Sequence, residues 1–498
     1  MKTNKKRTIL ILGLCLFAVA AIICAVLLLG GNTGVSPDNE VLDQGSVPPS
    51  QTPLAEENDV VQEPAVTDEP QPAKEDKVYI RVYTTYRELG RAIEKYAREN
   101  WDFDFEVMTW DDAMYYGYND IVNMVDDNLK NNAEPMEIFC VPSAYAPKYI
   151  RGEFSQYVLP YEELGIDVDA LLGKMDIPQY IIDAGKNRDG KIVALPVLSD
   201  ANVFMYRRSV AREVFGTDDP DKISEIIGGG TQSWDKFLEA AKTLKKHGYY
   251  IVSGPGDLFY LINEKCSVSD LFSEDFRIKP EWEKFMDIAK LLYDNGYMKD
   301  TELWSEEWYN DTRGKGDKVF GTFTVTEYRY DDQGLKNGYG DIFGDWAICL
   351  PPFQVQTDSY SGIMVSKNAA NKELVKSIIE WLTLDGSETG YQYLIANGRI
   401  FDGQRFTVIS RTVLNETENI VGFLGNQDVN PVVHNALNRL EELYNPDPKT
   451  EDEGYLVIYW EFMTETNAYI RGEKSKETAI SDFIEGIRRR WKETGSMW

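Results

Sequence analysis

Between Arg188 and Arg208 the chain reads RDGKIVALPVLSDANVFMYRR, and this stretch constrains the fold more than any other. Two apolar runs, one around Ile192–Val197 and one from Asn202 to Tyr206, flank a short polar break centred on Asp200. A tight hairpin would turn on an Asn-Gly or Asp-Gly pair, yet Asp189-Gly190 precedes the first run instead of joining the two. Pro196 has no amide hydrogen to give a strand ladder, so it marks a strand end or an edge. Two consecutive strands that do not form a hairpin must find other neighbours.

With 498 residues the chain exceeds what one hydrophobic core usually serves, about 250–300 residues, and its 43% apolar content can fill more than one. The formal charge of −30 argues against nucleic acid, whose phosphates need Lys and Arg, and suits an exposed, soluble body. At the N-terminus Lys2, Lys5, Lys6 and Arg7 precede an uncharged run from Thr8 to Leu29. Its 22 residues at about 1.5 Å each can cross a hydrocarbon core of about 30 Å. Ala18-Val19-Ala20 fits a signal-peptide cleavage site, but the run continues nine residues further. Cys15 follows Leu14 and Cys24 follows Ile23, so neither suits lipoprotein processing. Residues 1–29 are therefore expected to be an uncleaved signal anchor with its basic end inside, a cleaved signal peptide being the competitor. Residues 30–77 are rich in Pro, Glu, Asp, Ser and Gly, and lack Lys and Arg until Lys74, which predicts a disordered acidic linker. Residues 78–498 are then expected to form an extracytoplasmic body tethered to the membrane. Outside the anchor, Cys140, Cys266 and Cys349 lie in apolar contexts and read as buried thiols; the odd count leaves room for one disulfide but not for a full framework.

Much chemistry is missing. The chain has two histidines, His247 at the end of a Lys-rich helix and His434 near a helix start, too few and too isolated for a triad or a zinc cluster. No phosphate-binding loop or dinucleotide fingerprint occurs; Gly228–Gly230 lies between two predicted helices and reads as a loop. The acidic stretch 445–454 lacks the ligand spacing of a calcium loop, so neither metal nor cofactor is expected. A carboxylate pair could serve glycoside hydrolysis, but among 82 acids such a pair carries no signal. Aromatic residues in polar stretches are abundant instead: 29 Tyr and 11 Trp in all. Rings with one apolar face and polar neighbours suit neutral polar ligands such as sugars.

From residue 78 strands and helices alternate. KVYIRVYTTY, FDFEVMTW and MEIFCVP read as strands, the last a short buried run typical of a parallel sheet. RELGRAIEKYAREN, DIVNMVDDNLKNN, SWDKFLEAAKTLKKHG, PEWEKFMDIAKLLYDNG, NKELVKSIIEWLTLDG and KETAISDFIEGIRRRWKE read as amphipathic helices. Ser233 is the expected cap of a helix opening at Trp234, and Gly248 ends it. The class is α/β, with helices over mostly parallel sheets.

Three ordered blocks of this pattern resemble a family. GKIVALPVLSDANVFMYRRSVAREVFG followed by QSWDKFLEAAKTLKKHG is similar to the extracellular solute-binding proteins of bacterial ABC importers, the sugar-binding group that includes maltose-binding protein. Two later blocks agree: GDWAICLPP with SGIMVSKNAANKELVKSIIEWLT and YLIANGRIF, then RGEKSKETAISDFIEGI. Tyr206-Arg207-Arg208 departs from the usual Tyr-Asn-Lys, and AEPMEIF lacks the usual Asp before the third strand. The resemblance implies a two-lobed, periplasmic-binding-protein-like fold over 78–498, with hinge crossings at 196–203, at 357–363 and near 430. One lobe would span about 78–199 and 361–430, the other about 200–360 and 431–498. It implies no catalysis: a monomer captures a carbohydrate, most simply an oligosaccharide, by lobe closure and delivers it to membrane permease subunits. A sugar-sensing receptor of the same fold and a glycoside hydrolase are the alternatives. Asp200 matches a ligand-contacting carboxylate of the pattern, Tyr328 an aromatic-bearing region and Trp460 a stacking aromatic on a late helix. Tyr83, Tyr86, Ser143 and Tyr145 follow strand ends, where open α/β sheets bind ligands, and Tyr360 lies in the polar stretch TDSYSG at a crossing. These eight are the expected ligand contacts.

Overall fold

In the computed structural model, the described residues are 77–84, 87–110, 118–131, 135–199, 201–262, 265–267, 271–273, 276–312, 314–315, 318–325, 342–355, 362–401, 403–444 and 455–494. The expected anchor at 1–29, the linker up to residue 76 and the stretch 445–454 lie outside them. No described helix is long and apolar enough to cross a membrane.

The alternation read in the sequence becomes strand β1 (Val78–Thr84), helix α1 (Arg87–Asn100), strand β2 (Phe105–Trp110), helix α2 (Tyr118–Asn131) and strand β3 (Ile138–Cys140). Leu89, Ile93 and Ala97 repeat at helical spacing and turn one face of α1 into the core. Glu94–Arg98 and Lys95–Glu99 pair along its outer face. Gly90 lets α1 settle tightly on β2, because a Cβ there would stand 2.2 Å from the Thr109 hydroxyl.

The first sheet has the order β2-β1-β3-β8, with β8 at Met364–Val365. Its first three strands are parallel and β8 runs against β3. The second sheet breaks the expectation of mostly parallel strands. Strand β4 (Asn202–Arg207) is central, and both β6 (Gly321–Val325) and β7 (Trp346–Cys349) run antiparallel to it. Topology gives the reason for β7: β4 leads away from residue 201, whereas β7 must run back so that Pro351–Val355 can return past Asn202. Among the described residues, the backbone at Tyr250 and Ile251 runs parallel beside β6, exchanging hydrogen bonds of 2.8–3.1 Å with Lys318, Phe320 and Gly321. Four more short strands complete the set with one partner each. β5 (Lys265–Ser267) pairs with β11 (Tyr455–Val457), and β9 (Ile420–Val421) with β10 (Gln427–Asp428).

Hydrophobic side chains collect in two large cores. One includes Ile80, Ile93, Ile138, Tyr161, Leu195, Val365, Ile379 and Leu437. The other includes Phe204, Tyr206, Phe237, Trp282, Phe285, Phe323, Phe462 and Phe483. Their helices include α3 (Asp235–Lys246), α4 (Pro280–Asp294), α5 (Glu306–Thr312), α6 (Lys372–Ile379), α7 (Asn430–Leu443), α8 (Tyr459–Ile470) and α9 (Lys476–Thr494). Helix α7 sends Val433, Ala436, Leu437 and Leu440 into the first core. Its neighbour Val432 packs with Val203, Met205, Trp346 and Phe423 behind the second sheet.

Gly248 ends α3 as expected, at φ +81°, and the Tyr249 amide returns to Leu244. The helix starts one residue later than expected. Trp234 takes the cap position, held by Phe237 and Phe353, while the Ser233 hydroxyl accepts the Asp235 amide. Cys140 and Cys349 are buried, and burial pushes the Cys349 thiol well up.

Candidate functional site

The joints between the cores are held by side-chain amides. The Asn202 side chain donates to the Phe353 carbonyl at 2.8 Å and accepts the Val355 amide at 3.2 Å. Gln354 returns its own amide group to the Asn202 carbonyl at 2.9 Å. Gln232 then grips the Gln354 backbone twice, at 2.9 and 3.2 Å. Thus 353–355 is bound to the second core through its backbone as well as its side chains. Gly229 allows the close approach, since a Cβ there would come within 2.8 Å of the Leu350 carbonyl oxygen. On the first-core side, Leu195 bridges to Ile363 and Leu198 to Val408, and the Ser199 amide donates to Thr407. Pro196 sits between these bridges, where its missing donor costs no ladder bond.

At the carboxyl edge of the first sheet, β1 and β2 place Tyr83 opposite Trp110. The rings stack with centroids 4.5 Å apart and planes 14° apart. Tyr83 is only 8% exposed and lies in a cluster with Val125, Phe139 and Tyr149. After β3 the chain makes a short 3₁₀ turn, Ser143–Tyr145. Both its polar residues are half-buried, and burial holds the Tyr145 phenol up at about 12. The Cα atoms of this turn come within 8 Å of those of β11, the strand that leads into α8.

Helix α8 opens with an aromatic group. Tyr459 meets Phe259 edge-on at 4.7 Å and Trp460 at 4.9 Å. Trp304 stands 5.9 Å from Tyr459 and 6.0 Å from Trp460. Trp460 is 51% exposed and Trp304 43%. A buried polar scaffold lies in the segments that carry this shelf. The Asp257 carboxylate accepts the Ser253 and Gly254 amides, the Trp308 indole and the Thr322 hydroxyl, at 2.6–3.0 Å. Burial nevertheless pushes its pKa up. Nearby Asp311 binds Ser253 and Lys299.

Of the eight expected contacts, Tyr83 and Tyr145 join the same cluster at the first sheet's edge, Ser143 flanks it, and Trp460 stands on the shelf. Tyr86, Asp200, Tyr328 and Tyr360 lie outside the described residues. Sequence reasoning overlooked Asn202, Gln232 and Gln354, whose partners lie far along the chain. It also overlooked Trp304, although a Trp in the acidic turn TELWSEEW was a legible signal.

The residues 109–389 match the family described as bacterial extracellular solute-binding protein, which is more than half the chain. The chain belongs to this family. A solute-binding protein captures its ligand without covalent chemistry, so the chain is not an enzyme, and the family is extracellular. Its fold is the two-lobed one of a solved extracellular solute-binding protein of family 1, at 13% identity and a TM-score of 0.61, covering 82% of this chain and 98% of that one. The sugar-binding protein MalE of the phytopathogen Xanthomonas citri is similar at 14% identity and 0.54, over 84% and 100%. The galacto-N-biose/lacto-N-biose I-binding protein of an ABC transporter from Bifidobacterium longum, solved with lacto-N-biose, is similar at 15% and 0.52, over 85% and 99%. No curated protein sequence matches the chain.

Proposed function

We propose that this solute-binding protein captures a carbohydrate of oligosaccharide size by closing its two lobes, and delivers it to the permease of an ABC importer. The observation that carries the reading is the approach of the Ser143–Tyr145 turn to β11, beside the exposed rings that open α8. Flat apolar faces near half-buried hydroxyls match the two-sided chemistry of a pyranose, whose C–H face stacks while its edge hydrogen-bonds. The solved relatives named for sugars agree in fold. Ligand contacts with both lobes favour the closed arrangement by their differential affinity.

In this reading the lobes comprise about 78–199 with 361–430 and about 200–360 with 431–498. The crossing near 430 is drawn out over α7, whose inner face sits in the first core. Asp200, between the bridged Leu198 and the clasped Asn202, offers a carboxylate to sugar hydroxyls. Tyr83, Tyr86, Ser143, Tyr145, Tyr328, Tyr360 and Trp460 complete the contacts. Residues 1–29 tether the protein to the extracytoplasmic face of the membrane through the acidic linker, and it works as a monomer.

The test is a thermal-shift screen of residues 74–498, which form one compact unit, against mono- and oligosaccharides, peptides and polyamines. Stabilisation by glycans is expected; stabilisation by a peptide with none by any glycan would end the carbohydrate reading. Asp200→Ala should weaken glycan binding with an unchanged melting temperature. Unchanged affinity would make Asp200 a turn residue.

A further inference from the structure

Trp304 is a backbone outlier. The turn Glu302–Ser305 closes through the Ser305 amide to the Glu302 carbonyl at 3.2 Å, and holds Trp304 at φ +62°. Position three of such a turn favours glycine or asparagine, because a bulky side chain crowds the backbone there. Apart from glycines, the described residues with positive φ are Asp176, Gln232, Asn426 and this one aromatic.

The turn is held on both sides. Leu303 is buried against Gly256, and Thr301 lies so close to Gly254 that a Cβ there would stand 2.0 Å from its carbonyl oxygen. On the other side the Ser305 hydroxyl accepts the Trp308 amide, and the Trp308 indole donates to Asp257. The ring is covered in part by Tyr459 and Trp460, yet 43% of Trp304 stays exposed. Backbone strain kept for a ring that stays so far open to solvent points to a functional position.

We propose that Trp304 and Trp460 together form a two-ring platform for consecutive sugar units of a bent glycan. This rests on the carbohydrate reading above and adds a contact residue and a ligand shape. The ring centroids are 6.0 Å apart and their planes are inclined by 59°. Tyr459 stands beside both and fixes that inclination, with its own edge against Phe259. A pyranose stacks with its mean plane along the ring face. Two faces inclined so steeply cannot both lie along a flat ribbon such as a β-1,4-glucan. A chain that turns at each linkage can lie on both. Exposed Glu302 and Glu306 flank Trp304 and disfavour acidic sugars, so the ligand is neutral where it meets this platform.

The test is calorimetric titration of the full-length protein with maltotriose and laminaritriose, which bend, and with cellotriose, which is flat. At least one bent trisaccharide should bind tenfold or more tighter than cellotriose. Trp304→Gly suits the left-handed turn, so it should keep or raise the melting temperature while weakening the bent trisaccharide tenfold or more. Trp304→Phe keeps a stacking face and should recover most of that loss. Tighter cellotriose binding would overturn the bent shape. Unchanged binding by Trp304→Gly, with binding still lost in Trp460→Ala, would overturn the platform and leave the carbohydrate reading standing. A fall in melting temperature for Trp304→Gly would make the residue structural and overturn the proposal. If no glycan of a broad panel binds the wild-type protein, the carbohydrate reading fails and the platform with it.

Discussion

Two aromatic pairs lie in the parts of the molecule that meet near the Ser143–Tyr145 turn. Tyr83 and Trp110 stack almost parallel at 4.5 Å at the edge of the first sheet, with Tyr83 nearly buried. Trp304 and Trp460 are steeply inclined at 6.0 Å, and each exposes about half its surface. The first pair satisfies its faces with each other. The second leaves its faces to something else. Both pairs are aromatic and sit in polar sequence contexts; what separates them is the backbone. Parallel β-strands in register bring the faces of Tyr83 and Trp110 together, whereas a strained turn and a helix start hold Trp304 and Trp460 apart.

The comparison breaks most easily on stability. Tyr83→Ala removes a ring from a packed cluster and should cost about 3 kcal/mol or more in urea unfolding. Trp460→Ala should leave the unfolding free energy within about 0.5 kcal/mol. A stability loss at Trp460 as large as that at Tyr83 would erase the distinction. Next comes Asn202→Ala. It removes the partner of the part-buried Phe353 carbonyl and Val355 amide, at up to about 1–3 kcal/mol for each group that water does not reach. On the proposed lobe division the segment it clasps leads into a crossing, so ligand affinity should be disturbed too; calorimetry on the folded variant checks this. The binding effect of Trp460→Ala is smaller, a loss of about tenfold in glycan affinity, or about 1.4 kcal/mol. An equal loss of affinity in Tyr83→Phe, which keeps the ring, would move the ligand toward the first sheet's edge.

The sequence carried local pattern well and direction poorly. Helix α1 occupies the residues read from its apolar repeat, because Leu89, Ile93 and Ala97 all face one core. Gly248 stops α3 for a reason visible in one residue, its freedom to adopt positive φ. The antiparallel second sheet was not legible, since strand direction depends on where the chain must return. Nor was the clasp legible: Gln232 and Gln354 lie 122 residues apart, and an isolated glutamine announces no partner. Trp460 could be named from its place in a pattern. Trp304 could not be set beside it, because the turn that presents it has a conformation that tryptophan itself opposes.

A buried carboxylate lies in the segments around each aromatic pair, and the two differ in a way that pH can read. Glu137, at the start of β3, is fully buried and accepts the Arg81 amide at 2.7 Å. Asp257, in the scaffold of the aromatic shelf, accepts four donors. Burial is the largest influence on both and raises each pKa in the folded protein. A carboxyl with a raised folded pKa holds its proton more tightly when folded than when unfolded. Its stabilising contribution is therefore complete below the ordinary carboxylate range and is lost as pH rises through the folded value. Stability should fall across that window. Glu137→Gln stays neutral throughout, so it should flatten the fall while leaving glycan affinity unchanged, since its carboxylate is held by the Arg81 and Ala370 backbone and not by the aromatic shelf. Asp257→Asn should also flatten it, but an amide cannot accept from all four donors, and the Trp308 indole would lose its anchor. Glycan affinity should then drop with the shelf's geometry. Urea unfolding across about pH 4 to 8 with paired calorimetry measures both. Equal affinities for the two variants would show that the shelf does not depend on its polar scaffold, and that the strained turn alone sets the position of Trp304.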